Sequence, residues 1–123
     1  MDENRTILTV DDSRTMRELL MASLSDLGFR VVQGVDGVDG LKVLREQSAD
    51  LIITDLNMPN MDGVGFIEQV RQDPRYRGTP ILVLTTETDP LEKDRARRAG
   101  ATGWILKPFD PVKLAEAIRR VSL

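Results

Sequence analysis

The sequence predicts an α/β protein, a doubly wound five-stranded parallel sheet with helices on both faces. Three observations predict it. Five short apolar runs rich in β-branched residues recur along the chain, at 6–10, 30–34, 50–54, 80–84 and 103–106. Each is followed by a stretch with helical character, the alternation that builds βα units and buries a parallel sheet between helices. Gly, Pro and Asp punctuate the joints between these runs.

Taken in order, the run TILTV at 6–10 is the first strand. After it Met16, Leu19, Leu20, Ser23, Leu24 and Leu27 recur at helical spacing, and Gly28 supplies a stop, so a helix of about four turns with one buried face is expected. The second strand, 30–34, leads into Val-Asp-Gly repeated at 35–40. That period is far too short for a solenoid and the glycines do not fit a dinucleotide fingerprint, so the segment reads as a turn and the first residues of the second helix. The third run, DLIIT at 50–54, is followed by DLNMPNMDG, a loop by composition with Pro59 and Gly63 as punctuation and Asp62 as an N-cap.

The fourth run is PILVL at 80–84 and the fifth GWIL at 103–106. Asp89-Pro90 and Asp110-Pro111 each set a capping side chain before a proline at the first helical position, where a missing N–H costs nothing. They mark the starts of the last two helices. Ala115, Ile118 and Val121 give the final helix an apolar stripe, whereas 91–99 carries Lys93, Arg95, Arg97 and Arg98 and should be more exposed and less firmly held. No linker or boundary is visible, so residues 1–123 are expected to form one domain.

Composition narrows the chemistry. With 41% apolar and 30% charged residues, the 123-residue chain can bury a single core. It has no cysteine and no histidine. Disulfides, thiolate nucleophiles, serine–histidine triads, His-ligated zinc and phosphohistidine carriage are thereby excluded, which leaves carboxylates, Lys and Thr as the chemistry available. No window approaches the roughly 18 apolar residues that span a bilayer, so a cytoplasmic protein without membrane contact is expected. The net charge of −3 argues against nucleic acid as a partner, since binding there depends on neutralising phosphates.

In an open parallel sheet, ligands bind beyond the carboxyl ends of the strands, where the strand order reverses. Asp11 and Asp12 follow the first strand, Asp55 ends the third, Thr85 and Thr86 end the fourth, and Lys107-Pro108 follows the fifth. Clustered carboxylates repel one another unless a hard cation bridges them, and Mg²⁺ suits an all-oxygen shell. A carboxylate can also attack phosphorus and hold it as an acyl phosphate while cations neutralise the transferring oxygens. Asp55 is then the nucleophile, Lys107 the cation and Thr85 the hydroxyl donor to a phosphoryl oxygen. Alone, each residue has an ordinary reading: Asp11-Asp12 as helix-capping acids, Asp55 as a turn aspartate, Thr85 as a strand-end hydroxyl, Lys107 as a solvated lysine. Their convergence at one sheet edge favours the chemical reading.

The motifs VDDSRTMR at 10–17, TDLNMPNMDG at 54–63, VLTTE at 83–87 and GATGWILKPF at 100–109 resemble the receiver domain of response regulators, in particular the single-domain chemotaxis regulators of the CheY type. The resemblance covers essentially the whole chain, and four separated motifs must each coincide with a different strand end. It implies the flavodoxin-like strand order 2-1-3-4-5 and a phosphorylation-activated switch, not an enzyme acting on other molecules. It further implies that Asp12 and Asp55 ligate Mg²⁺ by side chain, Asn57 by its backbone carbonyl and Asp11 largely through water. Asp55 is the implied phosphoacceptor, with Thr85 and Lys107 on the phosphoryl oxygens, Trp104 at the place of a switch aromatic, and Pro108 after a cis peptide bond. Asn57 and Glu87 lie where dephosphorylation is governed.

The implied partners are a sensor histidine kinase of the chemotaxis type, a flagellar motor switch protein and a phosphatase, with the chain itself monomeric. A phosphate sink or relay for another pathway stays open beside motor control, with a true aspartyl-phosphate phosphatase a weaker rival. Two departures are visible: Trp104 is bulkier than the usual Tyr or Phe, and Thr86 is larger than the usual Ala or Gly. Other classes fit poorly. A calcium loop starting at Asp55 would want glycine and glutamate where Asn60 and Phe66 stand. Dehalogenase-like phosphatases carry a second aspartate where Asn57 stands, and a flavin or nucleotide module lacks its phosphate-binding glycines here.

Overall fold

The computed structural model describes residues 5–122; residues 1–4 and 123, the ends of the expected 1–123 domain, lie outside the described residues. Strands β1 (Thr6–Val10), β2 (Arg30–Gly34), β3 (Leu51–Thr54), β4 (Ile81–Thr85) and β5 (Gly103–Leu106) alternate with helices α1 (Arg14–Asp26), α2 (Gly37–Glu46), α3 (Gly63–Gln72), α4 (Pro90–Ala99) and α5 (Pro111–Val121). All strand pairs are parallel and the order is β2-β1-β3-β4-β5. The doubly wound sheet and its 2-1-3-4-5 order are those expected.

The sheet separates two apolar layers because side chains alternate along each strand. Leu8, Val10, Ile52, Ile81 and Val83 face one layer with Phe66, Ile67 and Val70 of α3. Ile7, Leu51, Ile53, Leu82 and Leu84 face the other with Leu20 and Leu24 of α1 and Leu114 and Ile118 of α5. The three central strands β1, β3 and β4 are buried along their whole length, as expected for strands covered on both faces.

Two strands begin one residue later than the apolar runs suggested. Asp50 stays outside β3, where its carboxylate accepts the Thr6 N–H at 2.8 Å, and Pro80, which has no N–H to give the ladder, precedes β4. In α1 the buried stripe is Leu20 and Leu24, while Leu19, counted on the same face from the sequence, is 51% exposed. The helix buries a narrower stripe than its apolar content allowed.

The expected caps are in place. Asp62 accepts the Gly65 N–H, Asp89 the Leu91 N–H and Asp110 the Val112 N–H, each holding a first turn that would otherwise leave donors unpaired. Helix α4 buries Ala96 alone, in keeping with its charge-rich sequence. Its arginines and acids are laced on the outside by Glu92–Arg95 and by Asp94 with Arg97 and Arg98.

Candidate functional site

The strand order reverses at β1 and β3, and the carboxyl ends of these strands carry the acids. Asp11 and Asp55 each extend a ladder one residue past its strand: Asp11 N–H donates to the Gly34 carbonyl at 3.2 Å, and Asp55 N–H to the Val10 carbonyl at 3.0 Å. Their backbones are therefore as well fixed as the sheet itself. The loop after Asp55 returns tightly, with Gly63 N–H donating to the Leu56 carbonyl at 2.7 Å. A Cβ on Gly63 would overlap the Asp55 carbonyl oxygen and lie 2.6 Å from Leu56 Cα, so only glycine lets α3 start this close to the sheet edge.

Asp11, Asp12 and Asp55 each offer a carboxylate oxygen within 4.8 Å of the others. Asp11 and Asp55 are buried, at 2% and 8% exposure, whereas Asp12 is exposed. Lys107 reaches across from beyond β5, and its Nζ donates to Asp11 Oδ2 at 2.8 Å and Asp55 Oδ2 at 2.9 Å. Its backbone is tied to the same edge, since Lys107 N–H donates to the Thr85 carbonyl at 2.9 Å. The remaining carboxylate oxygens accept backbone donors, Asp11 Oδ1 from Ser13 N–H at 2.9 Å and Asp55 Oδ1 from Leu56 N–H at 2.7 Å. The Lys107-Pro108 peptide is cis.

The charges are strained toward a cation. Burial pushes the Asp11 carboxyl above its ordinary 3.8, and the hydrogen bonds from Lys107 and Ser13 do not fully offset it; the neighbouring Asp55 charge acts in the same direction as burial. For Lys107, burial pulls downward, but the hydrogen bonds and charges of Asp11 and Asp55 outweigh it and hold the ammonium above 10.5. Lys107 pairs with two of the three carboxylates, so the cluster keeps an excess of negative charge on hard oxygen donors. That is the donor set a small divalent cation such as Mg²⁺ takes.

Thr85 is fully buried, and its Oγ1 accepts the Glu87 N–H at 3.2 Å. Trp104 pairs with Val83 across β4 and β5, so Trp104, Val83 and Thr85 share one face of the sheet. The indole is half-buried, with Lys93 Nζ 5.8 Å from its ring centre. The Glu87 carboxylate turns to its own loop, accepting from Thr88 N–H at 3.1 Å and Asp89 N–H at 3.2 Å. Asn57 is exposed on the loop after Asp55. The structure thus gathers Asp11, Asp12, Asp55 and Lys107, sets Thr85 on the adjoining strand end, and places Trp104 two residues below it on the neighbouring strand. Sequence reading passed over Arg17, whose Nη1 donates to the Asp11 carbonyl at 2.7 Å, and Asp36 and Asn60, joined at 2.7 Å. Arg17 sits one helical turn past the Ser13 cap, a signal available in the sequence; the Asp36–Asn60 pair had none.

Residues 7–119 match the response regulator receiver domain. The chain belongs to the response regulator receiver family. This receiver is 39% identical over 120 residues to a probable chemotaxis protein CheY of Rhizobium etli, covering 97% of this chain and 93% of the relative. Among solved structures it is similar to chemotaxis protein CheY4 of Vibrio cholerae, with a TM-score of 0.91 and 42% identity over 95% of this chain and 98% of that one. The receiver domain of a Pseudomonas aeruginosa sensor histidine kinase, solved with a magnesium ion coordinated in its active-site cleft, matches with a TM-score of 0.89 and 27% identity, covering 96% of this chain and 97% of that one. The receiver is thus of the CheY type, a two-component signalling switch, and its acidic cluster is the kind of pocket in which receiver domains bind Mg²⁺.

A separate groove of about 410 Å³ lies between α4 and β5, walled by Pro90, Lys93, Arg97, Gly103 and Trp104. It is remote from the carboxylates in sequence but shares Trp104 with the face that carries Thr85. Among the described residues, no helix is long and apolar enough to cross a membrane.

Proposed function

We propose that the receiver is a phosphorylation-activated regulator of chemotaxis that takes a phosphoryl group onto Asp55 from a sensor histidine kinase, with Mg²⁺, and signals to a flagellar motor switch protein. The observation that carries this reading is the bridge from Lys107 Nζ to Asp11 and Asp55 at 2.8 and 2.9 Å, which brings residues from three strand ends onto one point. Asp11, Asp12 and Asp55 would hold the metal by their carboxylates, and Asn57 by its carbonyl. Bound there, Mg²⁺ supplies charge neutralisation for the phosphoryl oxygens.

In the transfer, an Asp55 carboxylate oxygen forms a P–O bond as the donor's P–N bond breaks, leaving the kinase imidazole. The Asp55 backbone is pinned to Val10, so the attacking group needs little reorganisation. Lys107 already lies against the attacking carboxylate and can pass to the phosphoryl oxygens as their charge arrives. Thr85 accepts from Glu87 N–H, which leaves its own O–H to donate to a phosphoryl oxygen. Movement of Thr85 opens space on the face it shares with Trp104, and the groove beside Trp104 on α4 and β5 is the surface read by the motor protein. Asn57 and Glu87 set the rate of hydrolysis, Glu87 once its carboxylate leaves the Thr88 and Asp89 amides. The receiver acts as a monomeric cytoplasmic switch and not as an enzyme on other substrates.

Incubation with acetyl phosphate and Mg²⁺ tests the centre of this reading. One base-labile phosphoryl group should add, chelation should stop it, and Asp55→Asn should abolish it with the fold intact. Labelling of Asp55→Asn at the parental rate and stoichiometry would overturn the assignment. The partner is tested by binding a motor switch peptide with and without phosphorylation, where equal affinity counts against motor control. A second reading, a relay receiver, is favoured by the structural match to a receiver domain of a histidine kinase. Transfer of phosphate from Asp55 onward to a histidine carrier would support it.

A further inference from the structure

The loop joining β3 to α3 runs from Asp55 to Gly63, and Asn57, Pro59 and Asn60 in its middle are exposed. Its two ends are held by backbone bonds, Asp55 to Val10 and Gly63 to Leu56. Asn57 is the residue whose carbonyl is assigned above to the cation. Whatever restrains the middle of the loop therefore sets where that carbonyl lies.

Two contacts with the start of α2 do so. Asn60 Nδ2 donates to Asp36 Oδ2 at 2.7 Å, across 24 residues of sequence. Met61 lies so close over Gly37 that a Cβ there would meet Met61 Cβ, Cγ and carbonyl oxygen at 2.9 Å. Asn60 adopts φ 68, the left-handed region that asparagine enters more easily than most residues. Its side chain thereby crosses to α2 instead of following the loop outward.

Asp36 is built to receive it. The residue is 8% exposed, and its other oxygen, Oδ1, caps α2 by accepting the Asp39 N–H at 2.8 Å. Asp39 in turn returns a carboxylate oxygen to the Val35 N–H at 2.9 Å. One Asp36 oxygen is thus spent on the helix, and the second meets the loop.

We infer that the Asp36–Asn60 clasp is a positioning device for the divalent cation: it presents the Asn57 carbonyl to the carboxylates of Asp11, Asp12 and Asp55 without touching the metal itself. The inference rests on the cation reading above. Groups one shell removed from a metal hold its ligands in orientation, and their loss commonly weakens affinity by about 10-fold or more. The clasp's loop-side member, Asn60, is neutral, so the side chain that restrains the loop is not itself a further anion beside the cluster.

Calorimetric titration with Mg²⁺ alone tests the clasp. Asn60→Gly keeps the backbone conformation and removes only the side-chain bond, so Mg²⁺ affinity should fall about 10-fold. Labelling by acetyl phosphate at saturating Mg²⁺ should stay within about twofold of the parent, because the metal, once forced on, leaves the chemistry unchanged. Asp36→Ser keeps a helix cap but is too short to reach Asn60, and should match Asn60→Gly. Asp36→Asn removes the same charge as Asp36→Ser yet keeps both the cap and an amide able to bond Asn60, and should stay near the parent. The double variant Asp36→Ser with Asn60→Gly should be no weaker than either single change. Parental affinity in Asn60→Gly, or full additivity in the double variant, overturns the clasp. Absence of Mg²⁺ binding by the parent protein would instead overturn the cation reading on which it rests.

Discussion

Gly63→Ala should be among the most damaging single-atom changes available to this protein. The added Cβ would overlap the Asp55 carbonyl oxygen and come within 2.6 Å of Leu56 Cα, about 1 Å inside ordinary carbon–carbon contact. Both obstacles are backbone, so no side chain can rotate away. Relief requires α3 to retreat from the sheet edge, which stretches the 2.7 Å bond from Gly63 N–H to the Leu56 carbonyl and loosens buried Val64, Phe66 and Ile67 behind it. Overpacking against an immovable backbone belongs at the upper end of the usual cost, about 3 kcal/mol. With unfolding entropy near 0.25 kcal/mol/K for a chain of this size, that loss lowers Tm by roughly 12 °C. Differential scanning calorimetry of the two proteins measures it, with Gly78→Ala as the control, since a Cβ at Gly78 meets nothing within 4 Å. The labelling rate at Asp55 should fall as well, because the same displacement moves the nucleophile's carbonyl. A Gly63→Ala protein with the parental Tm would refute the claim that this glycine is required by close approach.

Other consequences are open to direct measurement. Arg71 gives Nε and Nη2 to the Gly100 carbonyl at 3.1 and 2.8 Å and Nη1 to Thr79 at 2.7 Å, stapling the end of α4 to the turn before β4. Arg71→Ala should cost about 2–3 kcal/mol in urea unfolding, and Arg71→Lys should recover less than half, because an ammonium cannot reproduce the planar fork. Thr9 is fully buried, and its hydroxyl has no hydrogen-bond partner among the described residues. Thr9→Val should therefore be neutral or raise Tm, and a loss above about 1 kcal/mol would reveal a bonded partner. The Asp36 carboxyl is held below its ordinary 3.8 by the Asp39 N–H and then by the Asn60 amide. A lowered folded value contributes stability above the unfolded value that is lost as pH falls through the folded one. The stability difference between the parent and Asp36→Asn should be constant from pH 7 to about 5 and shrink below pH 3.8, as urea midpoints across that range will show; a constant difference down to pH 3 would contradict it.

Much of the architecture was legible in short stretches of sequence because its causes are short-ranged. Asp62, Asp89 and Asp110 act on N–H groups two or three residues away, so the three helix starts follow from local composition. The three central strands were legible because burial on both faces demands largely apolar runs. The miss at Leu19 has the same origin: spacing identifies a helical face, but the neighbours that cover it decide how wide the buried stripe is. At the site, Asp11, Asp55, Thr85 and Lys107 were legible as strand-end residues, since a parallel sheet places all such ends on one edge.

The order of residues along the chain sets which of them reach that edge, which chemistry cysteine- and histidine-free side chains can perform there, and where each helix begins. Which side chains meet follows from the packed fold. Lys107 bonds Asp55 across 52 residues, Arg71 bonds Gly100 across 29 and Asn60 bonds Asp36 across 24. No local propensity encodes such pairs. They exist because strand order sets β1 beside β3, because register decides which face each side chain takes, and because glycines at 37 and 63 let loops and helices close to distances that any side chain would forbid.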